Sequence, residues 1–543
     1  MPTDNILIQA YDKPISFQLP ELDAHLERLN QGGAHPSAAA FLAAASTVPI
    51  ANTEGWDTIY AIRVPDVNQA IAQQKTSPTS FNNTTKDPKF GLNTTIDGSF
   101  GDWQITLRGG GQNVNMAVPV SKGTFTLNGV ENKLDGLKVI IQIKMQYYPE
   151  MPLSLQPPSA TGTEHQLKVK LTSDIPEIPV VSVLNLVWPE GVPDPGGIED
   201  ALIEANFQDW FNKHLQDFDQ VFAAVKLNLR ADKNHLKWLK PTHTSYAYSE
   251  IPNTTNLCDA IFGVLCITTS KVDPKTLSQN IPSGAIPKGE RSAFLIGRQL
   301  FTREAMFTGL PNAFQKGTAK DNFELIDNDT AITLSAKAKN KDVIALDNVK
   351  YAGTTYHPFL HNLDVQVNEA EIITTMTVKI QISPGINAFL DIINYHGLQL
   401  EKNSNGGTQT LGFIQTRDAK CSHRTVTDPG VIAGEAIAGL IVSVIGLFVG
   451  KAAKETAKRI IIAIIVAVIA GIITAIQLII TDVIAKGVEN AMPPFDPIIK
   501  EGTDPIVWPT ATSQFTLTAA TLNGSVQISG VPEFIGPNPC SNS

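Results

Sequence analysis

His357 and His361 stand four residues apart, the spacing at which two imidazoles on one helical turn can share a zinc ion. Pro358 lies between them and breaks such a helix, and no carboxylate cluster completes a ligand set. Structural roles are expected for both. His235 and His243 flank Trp238 and Pro241 with no partner pattern. Gly109-Gly110-Gly111 follows a strand-like run, as a phosphate cradle would, but Gln112-Asn113-Val114-Asn115-Met116 returns straight to strand alternation. It reads as a bend or bulge. G-x-S-x-G, Walker A, H-E-x-x-H and G-x-G-x-x-G are all missing from the sequence. No catalytic residue, metal ligand or cofactor is expected, and the chain does not read as an enzyme.

The four cysteines, Cys258, Cys266, Cys421 and Cys540, are too few for a disulfide-built scaffold and match no zinc spacing. They are expected to be reduced. The apolar fraction of 43% against 17% charged can fill a large core, and 543 residues suffice for several domains. A net charge of −10 argues against nucleic acid as a partner, since phosphate binding needs a basic surface. It equally disfavours broad docking on anionic lipid. The first residues, MPTDNILIQAYDKP, carry no basic-then-apolar signal. A cytoplasmic protein, or one released without a cleaved signal, is expected.

Any site must be positioned by the elements around it. In residues 1–50, Leu22, Leu26 and Leu29 predict a short helix stopped by Gly32-Gly33, and the Ala-rich stretch 37–46 predicts another. From Gly55 onward the texture is strand. Leu137, Val139, Ile141, Ile143, Met145 and Tyr147 alternate with wetter neighbours, as do Met376, Val378, Ile380 and Ile382. Asn523-Gly524 sits between two strand-like runs, a hairpin signal. Half-buried strands of this kind imply antiparallel sheet. One long amphipathic helix is predicted over residues 197–225, with Ile198, Leu202, Phe211, Leu215, Phe218, Phe222 and Val225 on its apolar face. An aromatic helix beside curved sheet hints at a wrapped, tubular module, although periodicity alone favours ordinary helix-on-sheet packing.

Residues 460–480 contain only two polar side chains, Thr474 and Gln477, and residues 431–450 only one charge, Glu435. At ~1.5 Å per residue the longer run reaches ~31 Å, about a bilayer's hydrocarbon thickness. A helix apolar all round also suits a large core. Asp428-Pro429 predicts the start of this region, and Gly487 and Pro493-Pro494 its end. Ala463, Ala467, Gly471 and Ala475 form a stripe where another backbone could approach. The linker 451–459, KAAKETAKR, has no glycine or proline, so one continuous helix, bent near Gly446 or Gly450, stands beside a hairpin as an alternative.

Several strings resemble the Clostridium P-47 family, whose members are encoded beside some clostridial neurotoxin genes. They are Gly55-Trp56-Asp57-Thr58-Ile59-Tyr60-Ala61-Ile62, Phe100-Gly101-Asp102-Trp103 with Met116-Ala117-Val118-Pro119, Trp238-Leu239-Lys240-Pro241, and Leu522-Asn523-Gly524 with Gln527-Ile528-Ser529-Gly530. The resemblance runs from about residue 51 to 535. It implies an α+β, TULIP-like fold, in which a highly curved antiparallel β-sheet wraps long helices in an elongated tubular body. Residues 1–50 would be a helical extension and residues 51–543 the family domain, built of two helix-plus-sheet modules. The long apolar segment 428–487 would be enclosed by sheet. The resemblance also implies a protein that binds a lipid or other amphiphile, or assembles with proteins of the same toxin cluster. Phe211, Phe218, Phe222, Ile464, Val468 and Ile472 are the candidate groove residues, with core filling as the plainer role at each. A membrane-inserting or pore-forming toxin component, using residues 431–484, is the alternative, and a purely structural partner a third.

Overall fold

A computed structural model of the chain describes residues 15–17, 49–87, 91–148, 164–175, 177–226, 237–268, 272–315, 318–402, 409–431, 433–470, 476–486, 492–495, 506–509, 511–534 and 537–540. The fold is α+β, with the named strand pairs antiparallel. It divides into two units. One comprises Pro49–Leu295, Ile499–Thr518 and Gln527–Ser543; the other comprises Met1–Val48, Ile296–Ile498 and Ala519–Val526. The helices predicted near residues 20–29 and 37–46 lie outside the described residues, and Ile15–Phe17 is a strand paired with Thr425–Thr427.

In the Pro49–Leu295 unit, strands Val181–Val187, Lys138–Ile143, Val114–Leu127, Leu92–Phe100 and Ser80–Asp87 lie side by side in that order. The predicted alternation is present: Val139, Ile141 and Ile143 are buried while Lys138 and Lys144 face solvent. After Lys144 the chain changes sheet, and Met145–Tyr148 pairs with Glu164–Val169. Ala260–Ile267 is buried at every position between His243–Glu250 and Thr58–Arg63. Its unbroken apolar run is what a strand covered on both faces requires.

Helix α1 spans Val64–Gln74, opening on Pro65 with Asp66 in its first turn. Helix α2 spans Gly197–Lys213, twelve residues short of the predicted end at Val225. The His214 N–H bonds both Trp210 O and Phe211 O, Leu215–Asp217 forms one tighter turn, and Ala223–Lys226 pairs as a strand with residues 164–167. Pairing of that strand overrides the helical period which Phe218, Phe222 and Val225 extend. The predicted face is also out of phase at its start. Ile198 is 75% exposed, and the buried stripe is Ile203, Asn206, Phe207, Trp210 and Phe211.

In the Ile296–Ile498 unit the central sheet runs Gln409–Thr427, Ile386–Lys402, Ile372–Ser383, Pro358–Val367, Ala331–Leu334 and Phe323–Ile326. Met376, Val378, Ile380 and Ile382 point inward as their alternation predicts. Helix α3 (Glu435–Leu447) passes through a π-helical turn (Phe448–Ala453) into α4 (Lys454–Ala470), and α5 follows at Ile476–Lys486. Of the two alternatives at 451–459 the continuous helix forms. A π turn is one of the few devices that can redirect a helix without breaking it. The helix begins at Glu435, not at Asp428-Pro429. Asp428 instead donates its N–H to Gly385 O, and Asp428 O accepts from Val431, so the Asp-Pro pair makes the turn after the long strand.

Candidate functional site

The middle-helix candidates lie in an aromatic core. The Phe211 ring stacks on Phe100 at 6.1 Å and meets Trp103 edge-on at 5.7 Å, and Trp103 meets Phe218 at 4.9 Å. Phe222 stands 6.4 Å from Phe262. Phe211, Phe218 and Phe222 are 0, 3 and 1% exposed. A polar clamp sets the helix depth. Asn206 donates to Thr94 Oγ1 at 2.8 Å, and Asn83 donates to Asp209 Oδ2 at 3.0 Å. Phe207 and Trp210 complete the cluster. They are absent from the face expected from the sequence, because a phase set by Ile198 and Leu202 passes beside them. The i, i+3, i+4 set Phe207, Trp210 and Phe211 was the legible signal.

On the late helix, Ile464 and Val468 are 0 and 3% exposed, and every residue from 460 to 469 is at most 3% exposed. Ile472 lies outside the described residues. Of the stripe of small residues, Ala463 and Ala467 are used as a close approach, and Gly471 and Ala475 lie outside the described residues. A Cβ added to Gly309 would fall 2.6 Å from both Ala463 O and the Ala467 Cβ. Helix α3 differs, because it buries Ile441, Val444 and Ile445 yet leaves Leu447 47% exposed; on α5, Leu478 is 74% exposed.

The chemistry-bearing residues do not converge. His357 pairs with Asn348 Oδ1 at 2.9 Å, while His361 Nδ1 lies 3.5 Å from Asp342 Oδ1 and its ring is edge-on to Phe389. Among the described residues no three His, Cys, Asp or Glu side chains gather at metal-binding range. Gly109-Gly110-Gly111 forms a turn, with Gly110 bridged to Asn113 and Gly111 to Tyr248. A hollow of 390 Å³ is lined by Asp97, Ser99, Lys122, Lys133 and Asp135, and one of 60 Å³ by Lys144, Lys170, Asp174, Ile175 and Ile178. Among the described residues, no groove candidate lines either hollow.

Three buried polar features have no counterpart among the sequence expectations. Asp66 of α1 (0% exposed) takes both Nε, at 3.2 Å, and Nη2 of Arg291 (7%). Nearby, the Arg63 guanidinium reaches Cys258 O at 3.0 Å and Ile286 O at 3.1 Å. In the other unit, Arg417 and Thr416 hold Glu371. Burial alone would raise the Glu371 carboxyl, but these hydrogen bonds and the Arg417 charge bring it below the usual range.

His396 is buried beside Phe413, its Nδ1 without a hydrogen-bond partner among the described residues. Burial pushes its pKa down to about 4, against an opposing pull from Glu371. Its folded value therefore lies below the unfolded ~6.5, so the unfolded chain takes up the proton first. Stability falls as pH drops from ~6.5 towards 4, by on the order of 3 kcal/mol from this group. Urea unfolding at stepped pH should show that slope, and His396→Leu should flatten it.

Cys258 and Cys540 are joined in a disulfide, with Cα atoms 5.7 Å apart, which corrects the expectation of four reduced thiols. A separation of 282 residues leaves no local spacing to read. Closing so long a loop restricts the unfolded chain, and removal of a native bridge costs roughly 2–5 kcal/mol. Cys540→Ser should lower the unfolding free energy from urea titration by that amount, and dithiothreitol should bring the parent chain to the same value without moving the variant.

The OrfX-like family, described as Protein OrfX2/OrfX3/P47, matches residues 53–530. Protein OrfX3 of Paraclostridium bifermentans is 27% identical over 513 residues, covering 88% of this chain and 98% of that relative. Protein OrfX3 of Clostridium botulinum (strain Kyoto / Type A2) is 28% identical over 416 residues, covering 73% and 82%. The structure of P47 from Clostridium botulinum A2 superposes with a TM-score of 0.56 at 16% identity, over 89% of this chain and 98% of that one. P47 of Clostridium botulinum E1 gives 0.56 at 15% identity, over 88% and 99%. Likeness at that identity speaks for the fold alone.

Proposed function

This chain belongs to the OrfX-like family of OrfX2, OrfX3 and P47 proteins, and from that premise we propose that it is a non-enzymatic binding protein of a bacterial toxin-associated gene cluster, working by assembly with proteins of that cluster. The observation carrying this reading is the enclosure of residues 460–469, none more than 3% exposed. The helix long and apolar enough to cross a bilayer is Ala436–Ile469, 39% buried over its most apolar window, and its last ten residues are consumed as core. That leaves the outer faces of the folded units for recognition. The Cys258–Cys540 disulfide favours a protein that reaches an oxidising environment over one retained in a reducing cytoplasm.

A second reading, amphiphile binding of the tubular lipid-binding kind, draws on α3 and α5. Leu447 and Leu478, at 47 and 74% exposed, leave apolar surface open on helices that bury Ile441, Val444, Ile445 and Ile480. The driving energy there would be apolar burial, ~25 cal/mol per Å², with loose specificity. Membrane insertion would require residues 460–469 to leave their unit and is the least favoured.

Native mass spectrometry of the purified protein, with organic extraction, separates the readings. Assembly predicts a lipid-free chain that forms stoichiometric complexes with individually purified products of its neighbouring genes. A stoichiometric extractable lipid would replace assembly by carriage. Vesicle leakage by the protein alone would replace both by insertion.

A further inference from the structure

Residues 171–204 carry seven acidic side chains and no lysine, arginine or histidine. The same segment holds seven of the fifteen large apolar side chains that stand exposed among the described residues. An even spread over the chain would put about one in a segment of this length. Leu184, Val187, Val192 and Ile198 are 47, 42, 44 and 75% exposed.

Their placement is set by one edge. Strand Val181–Val187 ends the sheet it belongs to, and α2 packs along it. Asn212 of α2 accepts from Val180 N at 3.0 Å and Val181 N at 3.2 Å and donates to Val181 O at 2.7 Å. Gln208 accepts from Val183 N at 3.2 Å. The backbone edge is thus closed to an added strand along 180–183, a common guard on edge strands. A register shift lies between Val183 and Asn185, and Leu184 and Asn185 both stand exposed there. This face offers apolar side chains, with the exposed Lys138 opposite Val187 across the ladder, and the chain that follows brings Glu190 and Asp194 and then Glu199, Asp200 and Glu204 of α2. The acids crowd one another. Burial, then a hydrogen bond and charge from Asp194 and the charge of Glu204, raise Asp200 to about 6.

We propose that this face docks a partner-protein segment in which lysine or arginine side chains are interleaved with apolar ones. The reading deepens the assembly function and rests on it for the partner's source, but its chemistry is independent. The apolar side chains supply the attraction, and the acids select a cationic partner and repel anionic ones. A second copy brought up through the same face would set acid against acid, and an anionic membrane would meet the same repulsion.

The probe is a fluorescein-labelled peptide of alternating leucine and lysine, about fourteen residues long, enough to span the strand and its flanks at ~3.3 Å per residue. Anisotropy titration of the full chain should show saturable binding, roughly tenfold tighter than for the serine–lysine counterpart, with none for leucine–glutamate. Leu184→Asn/Val187→Asn should weaken it roughly tenfold, and Glu199→Gln/Glu204→Gln should reduce its salt dependence. Both pairs are solvent-facing or half-buried, so unchanged thermal midpoints are expected and are measured alongside. Glu324→Gln, an exposed acid on a strand of the other unit, should change nothing. Absence of saturable binding, equal binding by the Leu184/Val187 variant, or equal loss in Glu324→Gln each overturns the docking face. If the peptide binds here while no neighbouring gene product binds the parent chain, the face stands and assembly within the cluster falls. If a neighbour binds the Leu184/Val187 variant as well as the parent, assembly stands and the face falls.

Discussion

Ile469→Lys removes most of the stability of the protein. Ile469 is 0% exposed, within a run of ten residues that are all sealed. The substitution deletes a buried apolar side chain and places an ammonium in the stretch 460–480, which contains no aspartate or glutamate. Loss of the apolar burial is worth about 2 kcal/mol, and an unpaired buried charge adds several more. A total above ~4 kcal/mol rivals the whole margin of 5–15 kcal/mol that typical domains possess. Circular dichroism in urea should show a midpoint collapse or no soluble folded protein. The contrast is Leu447→Lys, at a 47% exposed position, which should stay within about 0.5 kcal/mol of the parent. A folded Ile469→Lys of parental stability that has lost only a bilayer activity would reverse the assignment of this helix to the core.

Asp66→Ala has the next largest effect. It leaves the Arg291 guanidinium, 7% exposed, without the carboxylate that takes two of its N–H groups. Breaking one side of a buried pair costs roughly 3–5 kcal/mol, because the surviving charge is stranded, whereas replacing both partners by apolar side chains is often close to neutral. Asp66→Ala/Arg291→Met should therefore recover most of what Asp66→Ala loses. Asp66 also sits in the first turn of α1, where a carboxylate favours the helix dipole, so a few tenths of a kcal/mol should remain unrecovered. Urea midpoints for the parent, both single variants and the double form the cycle that measures the coupling. Additive losses in the double variant would sink the account of a stranded charge.

The family and the fold class were legible because they rest on local pattern. Alternation in 137–147 and 376–382, the Asn523-Gly524 turn and the spaced family strings each survive in one dimension. So does the helix-compatible linker 451–459, whose lack of glycine and proline allowed the continuous α3–α4 path that forms. Where two local signals competed, one dimension failed. Residues 218–225 carry helical spacing, yet Ala223–Lys226 takes a strand partner about sixty residues earlier in the chain, and the gain from that pairing belongs to contacts that no window contains.

For the candidate site the division is sharper. The types at Phe211, Phe218, Phe222, Ile464 and Val468 announce burial, and buried they are. Whether buried means core or ligand wall depends on what fills the other side. At Phe211 and Phe218 it is the rings of Phe100 and Trp103. Facing Ala463 and Ala467 it is the backbone at Gly309. The Cys258–Cys540 bridge and the Asp66–Arg291 pair were beyond sequence for the same reason, as their partners lie 282 and 225 residues apart. The acidic, apolar stretch 171–204 stood in the sequence throughout. Only the tertiary structure decided that Val181–Val187 within it forms a sheet edge whose backbone along 180–183 is already capped by Asn212 and Gln208, because burial and hydrogen-bond satisfaction are properties of neighbours in space, and composition by itself cannot tell an exposed leucine from a covered one.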